Sequence, residues 1–146
     1  ILGERAADPM IDSALSVLVE ELQDPSLGVR SSAVEALTKI GNPSTGDALM
    51  AAFSKEEQDE GMQRAFLTAF GAVGYRLAIP QLLQALRDPI DATRQCAAWS
   101  LGELKAREAQ DALRQALVQE TDPYVTEVMK KALKALRQTS HSKEKK

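Results

Sequence analysis

The fold of this chain is decided by residues 88–117, which read DPIDATRQCAAWSLGELKAREAQDALRQAL. Apolar residues recur along this stretch at steps of three and four, the spacing that puts them on one face of an α-helix. The Asp-Pro pair at its start is typical of a helix beginning, because Asp caps free backbone N–H groups and Pro does not need an N–H there. The stretch therefore predicts two successive helices, which we name helix A (residues 93–105) and helix B (the helix that follows it).

Helix A occurs four times without gaps. The four copies begin at Val29, Met62, Thr93 and Val125, at intervals of 33, 31 and 32 residues. Three aligned columns hold one small and two large residues: Ala36/Ala69/Ser100/Ala132, Leu37/Phe70/Leu101/Leu133 and Ile40/Val73/Leu104/Leu136. A repeat of this length predicts an array of stacked helical units.

Helix B is repeated with the same period. Its mainly apolar columns lie four residues apart and read Ala14/Thr45/Ala78/Ala109, Leu18/Leu49/Leu82/Leu113 and Leu22/Phe53/Leu86/Leu117. An Asp-Pro pair stands before three of the A helices, at residues 24–25, 88–89 and 122–123. We expect each Asp to be an N-cap. Gly41 and Gly74 end two A helices, where a left-handed C-cap residue is expected.

These signals predict an all-α, right-handed α-solenoid of about three and a half helical hairpins, each stabilised by its neighbours. We expect it to occupy residues 1–137 and to be followed by a polar, disordered tail at residues 138–146. The first four residues, ILGE, match residues 100–103, SLGE, in the last turn of a helix A. The chain is therefore expected to begin inside a repeat, as a fragment of a longer array.

The repeat resembles the short HEAT repeat of the phycobilisome bilin-lyase type. The residues that carry the resemblance are Asp-Pro, then Val/Thr-Arg, then Ala-x-x-Leu-Gly-x-Leu/Ile-Gly, then Ala-x-x-x-Leu-x-x-x-Leu, over roughly residues 13–137. The resemblance implies that Arg30 and Arg94 are structural residues that meet acidic groups of a neighbouring repeat. Gln63 and Thr126 replace this Arg, so the ladder is expected to be interrupted.

Composition makes catalysis an unexpected function. The chain has one Cys, Cys96, and one His, His141, so ordinary ligands cannot form a zinc or iron cluster and no disulfide can form within the chain. Glycines occur at helix ends or in the Leu-Gly position of helix A, without a phosphate-binding loop. We therefore expect no enzyme activity of the chain's own, no cofactor and no metal.

Charge and hydropathy restrict the partners. Residues 1–121 hold 11 basic and 18 acidic side chains, whereas residues 122–146 hold 7 basic and 3 acidic ones. An acidic body lacks the positive field that a phosphate backbone requires, so nucleic acid is not the expected partner. No apolar run reaches the roughly 18–20 residues of a membrane span, which favours a cytoplasmic location. The basic end could contact nucleic acid or anionic lipid, or it could keep an unpaired terminal helix soluble.

The expected partner is therefore a protein or peptide, bound along a concave ridge formed by the B helices. The predicted partner-binding residues on this ridge are Asp47, Ala51, Gln81, Gln84, Asp111 and Gln115. Trp99, on helix A, is a further candidate as an interface anchor. The alternatives are that the ridge is a solvated face without a ligand, and that Trp99 covers the next repeat. The resemblance implies another function, that of a bilin lyase or chaperone subunit acting on phycobiliproteins.

Overall fold

The computed structural model describes residues 9–55 and 59–145, in which the chain forms helices and no strand. The helices are α1 (Pro9–Glu21), α2 (Leu27–Ile40), α3 (Pro43–Lys55), α4 (Glu60–Val73), α5 (Ile79–Ala85), α6 (Asp91–Glu103), α7 (Gln110–Gln119) and α8 (Pro123–Lys145). Short 3-10 turns at Arg76–Ala78 and Arg107–Ala109 lead into α5 and α7. The even-numbered helices are the four A helices, and the odd-numbered helices are the B helices.

The helices form two layers around one elongated core. The A helices α2, α4, α6 and α8 pack on one another in chain order, and each B helix packs on the A helix that follows it. One predicted column, Leu37, Phe70, Leu101 and Leu133, is buried throughout, and its first three members are fully inaccessible. The all-α solenoid is therefore confirmed, and the apolar stripe of helix A forms its core.

Small residues allow successive A helices to approach closely. A Cβ atom added to Gly71 would lie 2.6 Å from the Cα atom of Ser100, and one added to Gly102 would lie 3.0 Å from the Cα atom of Ala132. The Ser100 hydroxyl also donates a hydrogen bond of 2.6 Å to the Leu67 carbonyl oxygen. Glycine is required here for interhelical distance rather than for its backbone freedom.

The B helices are spaced more widely than the A helices, and within the described residues successive B helices do not pack along one another. The A helices therefore form the closely packed layer and the B helices form the more open layer. A concave ridge of B helices stays a prediction.

Three A helices end in the left-handed conformation at the same aligned position. Gly41 has φ 60° and Gly74 has φ 76°, which confirms the predicted C-caps. Lys105 occupies the third position with φ 50°, without the glycine that marks the other two. This conformation turns the chain toward the next B helix in all three repeats.

The Asp-Pro pairs act in two different ways. Asp122 accepts hydrogen bonds from the backbone N–H groups of Tyr124 and Val125 and caps α8, as predicted. Asp24 and Asp88 accept instead from the N–H two residues on, at Ser26 and Ile90. The N-cap prediction is wrong at these two, because α2 and α6 begin after a further turn, which the Asp side chains close.

The last helix extends beyond residue 137, the expected end of the repeat domain. Helix α8 continues to Lys145, through residues expected to form a disordered tail. No Gly or Pro follows Pro123, so nothing in the sequence interrupts the helix. The match of residues 1–4 to the end of a helix A lies outside the described residues.

Candidate functional site

A groove of about 930 Å³ opens between α5 and α7, in the layer of B helices. Its lining residues are Pro80, Leu83, Gln84, Leu86, Arg87, Asp88, Pro89, Arg94, Ala112, Gln115, Ala116, Gln119, Glu120 and Thr121. The walls are mainly aliphatic, and side-chain amides are added by Gln84, Gln115 and Gln119. The groove exists because the two B helices that flank it do not pack on each other.

Two of the predicted binding residues meet at this groove. Gln84 contributes from α5 and Gln115 from α7, and both are exposed. They occupy the same column of neighbouring repeats, so the stacking of two repeats brings them to one site. Sequence periodicity predicted this alignment, although it did not predict the opening between the helices.

Gln81 does not belong to this groove. It is half-buried, and its Oε1 atom has no hydrogen-bond partner among the described residues. Gln81 is equivalent to Ala112, which lines the groove from the side of α7 and faces α5. Gln81 lies one turn before Gln84 on α5, and only Gln84 lines the groove.

The remaining predicted ridge residues are exposed but lie outside the groove. Ala51 is in the column of Gln84 and Gln115, one repeat earlier. Asp47, also on α3, accepts a hydrogen bond of 2.8 Å from the Tyr75 hydroxyl, and this bond raises the pKa of Tyr75. Asp111 lies 3.7 Å from Arg114 in an exposed ion pair. The ridge residues lie in aligned columns of the sequence, but only the third and fourth B helices flank this groove.

Trp99 lies on the other layer of the molecule. It belongs to α6 and is 39% exposed. Its position on an A helix separates it from Gln84 and Gln115. Trp99 therefore stays a candidate anchor on the A layer, apart from the groove.

An ion pair closes one end of the groove. Arg94 on α6 donates from Nε and Nη2 to the two carboxylate oxygens of Glu120, at 2.8 and 2.9 Å. Its Nη1 atom donates to the carbonyl oxygens of Asp88 and Pro89, at 2.9 and 3.1 Å. The hydrogen bonds from Arg94 lower the pKa of Glu120, and Glu120 in turn raises the pKa of Arg94. Glu120 lies in the connection between α7 and α8. Arg94 therefore meets an acidic group of the neighbouring repeat, as the resemblance implied.

Arg30 makes the same pair of backbone hydrogen bonds in the first repeat. Its Nη1 atom donates to the carbonyl oxygens of Asp24 and Pro25, at 2.9 and 3.1 Å. Arg30 and Arg94 each follow an Asp-Pro pair at the same distance along the chain. The pattern of Asp-Pro followed by Arg at the sixth residue after Asp is present in the sequence. Its role in closing the turn between helices B and A was not predicted.

A second Arg joins neighbouring repeats through the turns that follow two A helices. Arg76 donates to both carboxylate oxygens of Glu108, at 2.9 and 3.1 Å, and to the carbonyl oxygen of Leu104 at the end of α6. A hydrogen bond from the backbone of Glu108 itself, together with the Arg76 guanidinium, lowers the pKa of this carboxyl group. This contact ties the turn before α5 to the turn before α7.

Other chemistry-bearing residues do not assemble. Cys96 is half-buried on α6. Within residues 9–55 and 59–145, no three His, Cys, Asp or Glu side chains are grouped so that they could hold a metal ion. In the same ranges no helix combines the length and the apolar character needed to cross a bilayer. The groove and its Arg94–Glu120 pair are thus the best-defined candidate site.

These features define an α-solenoid with an inter-repeat groove. The chain belongs to the HEAT-repeat family: residues 55–137 match the HEAT-repeat family model. Residues 29–55 match the model of the PBS lyase HEAT-like repeat. The resemblance noted in the sequence is therefore confirmed over both halves of the array. No curated protein sequence matches the chain.

Two solved structures illustrate the likeness. One is a chain of the complex of CpcE and CpcF of phycocyanin lyase from Nostoc sp. PCC7120, with 28% identity and a TM-score of 0.73. The match covers 86% of this chain and 54% of that one, so this chain spans about half of that protein. The other is human deoxyhypusine hydroxylase, with 23% identity, a TM-score of 0.69, and coverage of 89% and 46%. The second likeness is one of fold alone.

Proposed function

We propose that this chain is a protein-interaction module that holds a short segment of a partner protein in the groove between α5 and α7. The observation that carries the proposal is the meeting of Gln84 and Gln115, from neighbouring repeats, on a groove of about 930 Å³. The proposal keeps the binding surface predicted from the B column and centres it on two repeats.

The chemistry of the groove suits a peptide. Aliphatic walls from Leu83, Ala112 and Ala116 can cover apolar side chains, and the amides of Gln84 and Gln115 can donate to and accept from peptide groups. The carboxylate of Glu120 already binds Arg94, which leaves the aliphatic and amide surface as the recognition element. Helix α5 has only 7 residues, so its wall is about 10 Å long at 1.5 Å per residue. A helix of two turns or a few extended residues fits this length.

The test compares two positions of one column. A partner is first isolated by pull-down from source cells, and its affinity is then measured by calorimetry for the unchanged chain, Gln115→Arg and Ala51→Arg. Both substitutions place the same side chain on an exposed B-helix position, but only Gln115 lies at the groove. We expect Gln115→Arg to weaken binding at least tenfold, about 1.4 kcal/mol, and Ala51→Arg to have little effect.

Other results contradict the groove as the site. If both variants lose affinity, the whole ridge is assigned to binding. If neither variant loses affinity, the groove is excluded as the binding site. Trp99→Ala is measured beside them, because Trp99 lies on the layer of A helices, away from the groove. A loss confined to Trp99→Ala would move the site to that layer.

A second function, that of a lyase-type subunit handling a bilin, is supported by the 28% identity to a chain of the phycocyanin lyase complex over 86% of this chain. Mixing the protein with a bilin and recording the absorbance spectrum tests it. A spectral shift that persists in Gln115→Arg supports this function independently of the groove. An unchanged spectrum argues against it and leaves the peptide-binding proposal standing.

A further inference from the structure

Two columns of helix A face the following A helix. The first contains Val34, Leu67 and Ala98, which are 4%, 2% and 0% exposed. The second lies one turn later and contains Thr38, Gly71 and Gly102. In repeats one to three these columns supply the buried apolar surface and the close backbone approach on which the next A helix stacks.

Both columns change character in α8. The equivalent residues are Lys130 and Lys134, and both are exposed. Lys130 stands where an apolar side chain is buried in each earlier repeat, and Lys134 stands where α4 and α6 have glycine. A solvated helix surface accounts for lysines in general, but not for their position here. These two lysines replace the residues on which the next A helix stacks in the earlier repeats.

A further A helix could not stack on this face as the earlier ones do. At Gly102 an added Cβ atom would already lie 3.1 Å from the Cβ atom of Ala132, so a lysine in this column would force the helices apart. Thr38 shows the milder form of the effect, since α2 and α4 pack less extensively than the later A-helix pairs. Burial of the Lys130 ammonium group would add a desolvation penalty without a partner.

We propose that α8 terminates the A-helix stack, and that Lys130 and Lys134 are the residues that close its outer face to another repeat. Such a face keeps the end of a solenoid soluble and stops copies of the chain from stacking end to end. This inference concerns array assembly and is independent of the proposed binding groove.

The experiment adds one repeat to the full chain. A second copy of residues 106–137 is inserted after Arg137 in two backgrounds, the wild type and K130A/K134G. Each extended protein is compared by denaturant unfolding with its own unextended parent, so the intrinsic helix effect of each substitution cancels. We expect the extra repeat to raise the unfolding midpoint and the m value in K130A/K134G, because a stacked repeat buries new surface, and to raise neither in the wild type.

A third background, K131A, is the matched control. Lys131 is exposed on the same helix but occupies the column of Trp99 rather than a stacking column. The extra repeat should leave the midpoint of K131A unchanged. Equal changes of midpoint in the wild-type and K130A/K134G backgrounds, whether zero or positive, would overturn the proposal, and so would a rise in K131A as large as that in K130A/K134G.

Discussion

Arg94 binds both carboxylate oxygens of Glu120, 26 residues further along the chain, while its third nitrogen holds the turn that precedes α6. The Glu120 side chain is 2% exposed and that of Arg94 is 19% exposed. One guanidinium group therefore joins the connection before α6 to the connection before α8. Because these connections border the groove, the ion pair determines the shape of the candidate site as well as the stacking of two repeats.

The pH dependence of stability should change in Glu120→Gln. The pKa of Glu120 is lowered from its ordinary value of 4.5 in the folded chain, so its ionised form stabilises the fold above that pH. This contribution is lost as the pH falls below about 4.5, toward the folded-state pKa. We expect Glu120→Gln to lower the unfolding free energy at pH 7 by about 1–3 kcal/mol, the range for a hydrogen bond to a charged group. Denaturant titrations at pH 7 and below pH 4.5 should show the difference shrinking in acid.

Leu101→Ala should destabilise the fold by about 2–4 kcal/mol, because emptying a buried Leu site removes apolar contacts and leaves a cavity. Leu101 is fully inaccessible in the described structure. Glu103→Ala, two residues on and exposed, should cost less than about 0.5 kcal/mol. Equal losses for the two variants in chemical denaturation would contradict the orientation of α6.

Gly71→Ala should cost about 1–3 kcal/mol through overpacking between α4 and α6. The new methyl group would lie 2.6 Å from the Cα atom of Ser100, a backbone atom that can move only if the helices separate. Gly28→Ala is the control, because its nearest neighbour would be the Ser26 hydroxyl oxygen at 3.8 Å. The control should be neutral or stabilising, and an equal loss in both variants would argue against the close A-helix contact.

Gly74→Ala should lower stability by about 1 kcal/mol for a different reason, the cost of the left-handed conformation to an L-residue. Gly74 has φ 76°, and an added Cβ atom would meet nothing within 4 Å. The loss should therefore appear in the unfolding free energy without a steric effect on the interface. A neutral result, measured by thermal and chemical unfolding, would show that α4 ends differently in solution.

The sequence by itself determined the repeat, the eight α-helices of the described residues and most of the core. These depend on local periodicity, and the buried column of Leu37, Phe70 and Leu101 follows from it directly. The glycine C-caps were also predictable, because a glycine at the end of a helical pattern is typical of the left-handed C-cap conformation. Lys105 was missed because nothing in its side chain marks a positive φ.

Only the tertiary structure decided which helices pack closely on one another, which residues meet at the groove and what Arg94 binds. Each of these depends on distances between segments about one repeat apart, such as Gly71 to Ser100 or Arg94 to Glu120. The columns of an isolated helix specify which face is apolar, but they do not specify how closely that face approaches its neighbour. Interhelical spacing is a property of packed pairs, and it left the opening between α5 and α7 that Gln84 and Gln115 line.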